Sequence, residues 1–165
     1  IHSEDFIKKF NVPKKQKKIL LTIDDAFQSF YETAWPFLLK NKIPFILFVS
    51  TEPIGNKGYM TWDQIREIEK ESFTTIGHHS HSHEYLIDKN DQEFVNDTEI
   101  ASKLFKKELG YVPSLFSYPF GEYSEFMRNY VSNNFSFAFG QHSGVIDKNK
   151  EKFQLPRFPI NDNYG

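Results

Sequence analysis

An α/β fold of parallel strands joined by crossover helices is what this sequence predicts, and three observations carry the expectation. Short apolar runs alternate with longer amphipathic stretches from Ile19 to Phe139. Five runs and four stretches follow in strict strand-helix order, which implies right-handed crossovers in a barrel or an open sheet. Residues suited to chemistry stand directly behind apolar runs, at the strand ends where such folds gather their sites. With 165 residues and 39% hydrophobic content, residues 1–165 are expected to be one domain with its core at about 18–140.

Ile19 to Ile23 reads as a buried strand and Phe30 to Lys40 as the helix behind it. Phe45 to Val49 is a second buried strand. Thr61 to Glu71 is a helix whose Thr61 and Gln64 have capping-box spacing. Phe73 to Ile76 is a third strand and delivers the chain to Gly77 and a run of histidines. From Asp91 to Leu109, the residues Phe94, Ile100, Leu104, Phe105 and Leu109 keep helical spacing, and Gly110 is a natural stop. A strand at Leu115 to Tyr118, a helix at Glu122 to Asn133 and a strand at Ser136 to Phe139 follow. Beyond Asp147 the chain is polar and then punctuated by Pro156 and Pro159, so a loop with one short strand at most is expected.

A net charge of −2 gives no broad electrostatic reason to expect nucleic acid or an anionic membrane as partner. Lys14-Lys15-Gln16-Lys17-Lys18 is then a solvated lead-in to the first strand. No cysteine offers a disulfide or a thiolate ligand. No apolar run approaches a membrane span and no signal-peptide pattern is visible, although a start at Ile1 rather than Met fits a chain with an upstream piece removed. Aromatic residues make up 17%, with 18 Phe, enough for a core and for a groove on which sugar rings stack.

Two stretches carry the chemistry. Asp24-Asp25 closes the first apolar run, and four of the six histidines fall within His78-His79-Ser80-His81-Ser82-His83. His79 and His83 have the i, i+4 spacing that puts two rings on one helical face. Two imidazoles and a carboxylate suit a divalent ion while leaving positions open for water and substrate. The paired Asp can divide the work, one binding the ion and the other acting as a base. Such a ligand set also suits non-haem iron oxygenases, but those sites sit in jelly-roll sheets rather than in alternating strands and helices.

In order and spacing these motifs resemble those of the NodB-homology polysaccharide deacetylases, carbohydrate esterase family 4, over about residues 18–140. Thr22-Ile23-Asp24-Asp25-Ala26 is similar to the family's T-F-D-D-G, His79-Ser80-His81-Ser82-His83 fits H-[S/T]-x-x-H, and Ser117-Tyr118-Pro119-Phe120-Gly121 is similar to its Arg-Pro-Pro-Tyr-Gly segment. The resemblance implies a distorted (β/α) barrel and a hydrolase that removes N-acetyl groups from N-acetylglucosamine-containing polysaccharide, a metal-bound water attacking the acetyl carbonyl. It implies Asp24 as general base and Asp25, His79 and His83 as ligands of a divalent ion, zinc first, with cobalt or nickel as alternatives. Phe120 would supply an oxyanion donor through its backbone N–H, Tyr118 would line the substrate side, and Ser80 would brace the histidine loop. The Tyr-Pro-Phe-Gly variant is similar to the poly-β-1,6-N-acetylglucosamine deacetylase branch, and the family implies a place outside the cytoplasm.

Three departures matter. Ala26 replaces a glycine, Ser117 stands where an arginine often orients the catalytic Asp, and the late Leu-x-x-His motif that supplies the acid is missing. His142, behind the last strand, is the candidate acid, and Arg157 is the candidate replacement for the missing arginine. Alternatives are a degenerate relative that binds glycan or metal without turnover, and a deacetylase of peptidoglycan or acetylxylan.

Overall fold

The computed structural model of the protein describes residues 19–147 and 151–160; the Lys14–Lys18 stretch lies outside them. Five strands, β1 (Leu21–Ile23), β2 (Phe45–Val49), β3 (Thr74–His78), β4 (Leu115–Ser117) and β5 (Phe137–Phe139), form one sheet in the order β1-β2-β3-β4-β5. Every pairing is parallel, with Leu21 opposite Phe45 and Phe48 opposite Gly77. An order that never reverses means each right-handed crossover advances by one strand in the same sense. The sheet therefore curls into a half-barrel of the NodB type, with the helices outside and all strand C-termini at one rim.

The four helical connections obey local rules. α1 (Trp35–Asn41) is preceded by a π-helical turn at Phe30–Ala34, where the expected helix was continuous. Pro36 has no N–H to donate to residue 32, so the ladder shifts before it, and Trp35 N–H reaches back to the Phe30 carbonyl. α2 (Trp62–Glu69) begins with the expected box: Gln64 N–H donates to Thr61 Oγ1 at 3.3 Å, and Thr61 N–H to Gln64 Oε1 at 2.7 Å. α3 (Asp91–Leu109) spans the expected residues and ends on Gly110 at φ +84°, a left-handed cap. α4 (Glu125–Asn134) is capped by Ser124, whose Oγ accepts Met127 N–H at 3.2 Å.

β2 explains how the two sides of the sheet are filled. All five of its residues are buried, as a strand covered on both faces requires. Phe45, Leu47 and Val49 join Trp35, Leu38, Ile65, Ile68 and Phe105 under the helices, while Ile46 and Phe48 pack with Leu115, Phe139 and Leu155 inside the curl. Gly77 is needed there, because a Cβ on it would lie 2.3 Å from the Phe48 ring.

Two boundaries differ from expectation in ways that bear on the site. β3 runs on to His78, so the histidine run begins inside the sheet. The tail returns to β5: Leu155 N–H donates to the Ala138 carbonyl at 2.8 Å and Gly140 N–H to the Leu155 carbonyl at 3.0 Å. That pairing carries Arg157 to the rim. No helix among the described residues is long and apolar enough to cross a membrane.

Candidate metal centre and its carboxylate pair

Backbone strain marks the rim. Among the described non-glycine residues, positive φ occurs at Asp25, Ala26, Lys42, Ser80, His83 and Phe120. Lys42 caps α1, and the other five all follow the C-terminal ends of β1, β3 and β4. Each costs on the order of 1–2 kcal/mol against its extended or right-handed alternative.

His79 and His83 converge, but not from one face of a helix, as the i, i+4 spacing suggested. The segment is a loop, turned by Ser80 at φ +68° and His83 at φ +54°. Its N–H groups are taken by side chains instead of a helical ladder. Ser80 Oγ accepts from His83 N–H at 3.2 Å, and the Asp97 carboxylate on α3 accepts from His81 N–H at 2.7 Å and Ser82 N–H at 2.9 Å. The His81 ring pairs with Thr51 Oγ1 at 2.8 Å. Beneath the loop, His78 is buried among Phe105, Phe116 and Phe135, and burial pushes its imidazole down to about 3. Neutral His78 accepts Ser80 N–H on Nδ1 and donates from Nε2 to the Thr98 carbonyl.

His79 is fully enclosed. Its Nδ1–H donates to the Ser117 carbonyl at 2.7 Å, which fixes the tautomer and turns the Nε2 lone pair into the site. Burial holds this imidazole below its ordinary value despite the carboxylates beside it, so it stays neutral, the ligand form. Its Nε2 lies 3.5 Å from Asp25 Oδ1, and His83 Nε2 lies 3.1 Å from the same oxygen. Donor atoms of Asp25, His79 and His83 all fall within 4.8 Å of one another.

Asp25 Oδ1 is also one of two buried side-chain polar atoms without a hydrogen-bond partner among the described residues. An unpaired buried carboxylate oxygen is expensive. Ligands bonded at 2.0–2.1 Å to one tetrahedral or octahedral ion stand about 2.8–3.4 Å apart; the 3.1 Å from Asp25 Oδ1 to His83 Nε2 lies in that range and the 3.5 Å to His79 Nε2 just above it. These residues fit a divalent ion.

Asp24 has the opposite environment, every oxygen being held. Arg157 donates to both carboxylate oxygens at 2.8 Å, a bidentate pair, and to Ser117 Oγ at 3.0 Å and Thr22 Oγ1 at 3.3 Å. Its Nε donates to the Gly140 carbonyl at 2.8 Å. The small Ser117 side chain leaves the space that the guanidinium fills. Burial pushes the Asp24 carboxyl up, but His79, the Arg157 hydrogen bonds and the charges of Arg157 and His83 outweigh it and hold the carboxyl below its ordinary value. While His79 is neutral, Arg157 is the dominant partner. Asp24 Oδ2 lies 3.8 Å from His79 Nε2, beside the donor cluster.

The remaining candidates divide. Tyr118, expected on the substrate side, is a correction: its ring is fully buried against Phe116 and Tyr123, with the hydroxyl donating to the Phe153 carbonyl at 3.0 Å. Side chains alternate across the end of β4: Ser117 faces the Arg157–Asp24 pair, while Tyr118 turns to the helix side, packing with Met127 and Val131 of α4 and with Phe153 of the tail. Phe120 is on the rim, its ring 4.8 Å from that of His83. His142 is exposed, its ring lying over Gly140, and its carbonyl accepts Arg157 N–H at 3.0 Å. Thr22, Thr51 and Asp97 escaped the sequence reading, because their bonds span 15 to 135 residues and no local pattern announces them.

A sequence model described as polysaccharide deacetylase matches residues 11–135. The chain is 28% identical over 110 residues to the Bacillus subtilis (strain 168) protein YxkH, covering 67% of this chain and 39% of that one. It is 22% identical over 169 residues to a Staphylococcus aureus poly-beta-1,6-N-acetyl-D-glucosamine N-deacetylase, covering 94% of this chain and 58% of that one. The chain thus spans between two fifths and three fifths of the length of these relatives. Among solved structures, it superposes on IcaB from Ammonifex degensii with a TM-score of 0.85 at 24% identity, covering 92% of this chain and 71% of that one. The Streptococcus pyogenes deacetylase PplD, in complex with acetate, gives 0.86 at 20% identity, with coverage of 99% and 74%.

Proposed function

This chain belongs to the polysaccharide deacetylase family, and from that premise we propose that it is a metal-dependent hydrolase removing N-acetyl groups from a polysaccharide containing N-acetylglucosamine. The observation that carries the reading is the orphaned Asp25 oxygen between two histidines, next to an Asp24 that Arg157 holds ionised. Asp25, His79 and His83 are the proposed ligands. Zinc, or cobalt or nickel, bound there would polarise the acetyl carbonyl and bring the pKa of a bound water toward about 7.

The chain's own residues do the rest. Asp24 is the general base: ionised at neutral pH and adjacent to the ligand cluster, it takes the proton of the attacking water. Arg157 is a positioning residue, holding both Asp24 oxygens so that the carboxylate stays ionised and aligned until it meets the attacking water. The Phe120 backbone N–H is proposed to hold the developing oxyanion, a donor worth roughly 3 kcal/mol of barrier. The carbon–nitrogen bond then breaks, acetate leaves, and the sugar nitrogen takes a proton to depart as an amine. His142 is the proposed donor of that proton.

The likeness to the named S. aureus enzyme favours β-1,6-linked N-acetylglucosamine as the glycan, and with it a place of action outside the cytoplasm. The test is acetate release from β-1,6- and β-1,4-linked N-acetylglucosamine oligomers by chelator-stripped protein, with and without zinc, cobalt or nickel. Release that requires metal and is faster on the β-1,6 series is expected. Stoichiometric metal binding with no release from either series would contradict the enzymatic reading.

A further inference from the structure

Every N–H of the loop from His79 to His83 is held, but by unequal partners. His79 N–H donates to the Val49 carbonyl at 3.0 Å, Ser80 N–H to His78 Nδ1 at 3.1 Å and His83 N–H to Ser80 Oγ at 3.2 Å. The two groups between them, on His81 and Ser82, each donate to a different oxygen of Asp97, at 2.7 and 2.9 Å. The loop carbonyls are held by the chain behind β2: Ser50 Oγ–H donates to that of His79 at 2.8 Å, Thr51 N–H to that of Ser80 at 3.3 Å and Glu52 N–H to that of His81 at 3.0 Å. Among all these partners Asp97 alone contributes a charged side chain, and hydrogen bonds to a charged group are about twice as strong as neutral ones.

Asp97 also acts where the backbone is under most strain. Ser80 at φ +68° and His83 at φ +54° stand on either side of its two contacts, in a left-handed conformation that residues with a Cβ adopt at a cost. Released from α3, that stretch would relax toward ordinary backbone and carry the His83 ring away from His79 and Asp25. Asp97 is not itself one of the converging donors, which are Asp25, His79 and His83; both of its oxygens face the loop backbone. We propose that Asp97 is a positioning residue for the metal ion, holding the loop in its ion-binding shape before the ion arrives and thereby setting the affinity of the centre. An ion binds more weakly in proportion to the fraction of chains whose ligands are in place, so loosening the loop weakens binding without removing any ligand. The inference rests on the assignment of Asp25, His79 and His83 as ligands, and extends it to a helix that supplies none of them.

The experiment uses the full chain stripped with chelator. Zinc dissociation constants are read by competition with a chromophoric chelator for the wild type, Asp97→Ala, Asp97→Asn and Glu99→Ala, alongside melting temperatures and amide hydrogen exchange of the metal-free proteins. Asp97→Ala is expected to raise the zinc dissociation constant about 100-fold, and Asp97→Asn, whose amide keeps one acceptor, about tenfold. The His81 and Ser82 amides should exchange faster in both. Glu99→Ala, which removes an exposed carboxylate from the same helix, should change neither quantity. Zinc affinities equal to the wild type, or a loss that Glu99→Ala reproduces, would overturn the proposal. So would weaker binding with both amides still protected, which would make the effect one of charge alone. A lower melting temperature with the zinc affinity of the folded chain intact would make Asp97 structural and overturn it equally. If Asp97→Ala does not fold, Asp97→Asn decides. A wild-type chain that retains no zinc removes the ligand assignment and the proposal with it, whereas zinc bound as tightly by both Asp97 variants as by the wild type removes only the role of Asp97.

Discussion

The rim and the helical layer of this molecule obey different rules. In the layer, β2 is buried on both faces, α2 and α3 begin with complete capping boxes, and α3 ends on a glycine that suits its φ. At the rim, five non-glycine residues have positive φ, a carboxylate oxygen is buried without a partner, and an arginine from the tail neutralises an aspartate 133 residues away. The layer satisfies each group locally, while the rim holds groups at a cost that only a ligand or a distant residue offsets. Stability is therefore expected to reside in the layer and chemistry in the rim, and substitutions should separate the two.

Asp25→Asn should break the rim most severely. Acetate release is expected to fall about 10³-fold, roughly 4 kcal/mol of transition-state stabilisation, because a ligand charge is lost. In the metal-free protein the same change should not lower the melting temperature, since it removes an unpaired buried charge; a clear loss would mean that Asp25 is structural. Phe105→Ala tests the other side. This fully buried ring should cost about 3–5 kcal/mol in denaturant unfolding while the folded fraction retains its metal affinity.

Arg157→Met sharpens the contrast within the rim. Activity should fall about 10²-fold, mostly in kcat, as Asp24 loses its positioning bonds. With the guanidinium gone, burial acts on Asp24 with less opposition, its pKa rises, and the acid limb of the pH–rate profile should move to higher pH. An unmoved limb would show that Arg157 does not set the base. The smallest effect is expected from Ala26→Gly. At φ +59°, alanine is strained where glycine is at ease, so this substitution should stabilise by about 1 kcal/mol, seen as a rise of a few degrees in melting temperature.

The same division explains what could be read from the sequence. α3 was legible to the residue because its apolar spacing and Gly110 stop are local signals; its Asn90 cap is seen in the structure. Asp24, Asp25, His79 and His83 were legible as residue types at strand ends, and the parallel order put them on one rim. How the histidines converge was not legible, because a loop turned by Ser80 and His83 and pinned by Asp97 has no period to detect. Tyr118 misled for a related reason: its motif position suggested the rim, but one step along the strand end reverses the side-chain direction. Arg157 was noticed only as the arginine that could make good a missing charge, and its two bonds to Asp24 depend on the tail pairing with β5, a contact that local sequence does not encode.

Whether Asp25, His79 and His83 hold a metal ion is best decided by X-ray absorption at the zinc edge, on protein stripped with chelator and reloaded with one equivalent of zinc. One retained zinc is expected, with two imidazole nitrogens and the remaining ligands oxygen, at about 2.0–2.1 Å. Failure to retain zinc, or a first shell without imidazole, would contradict it.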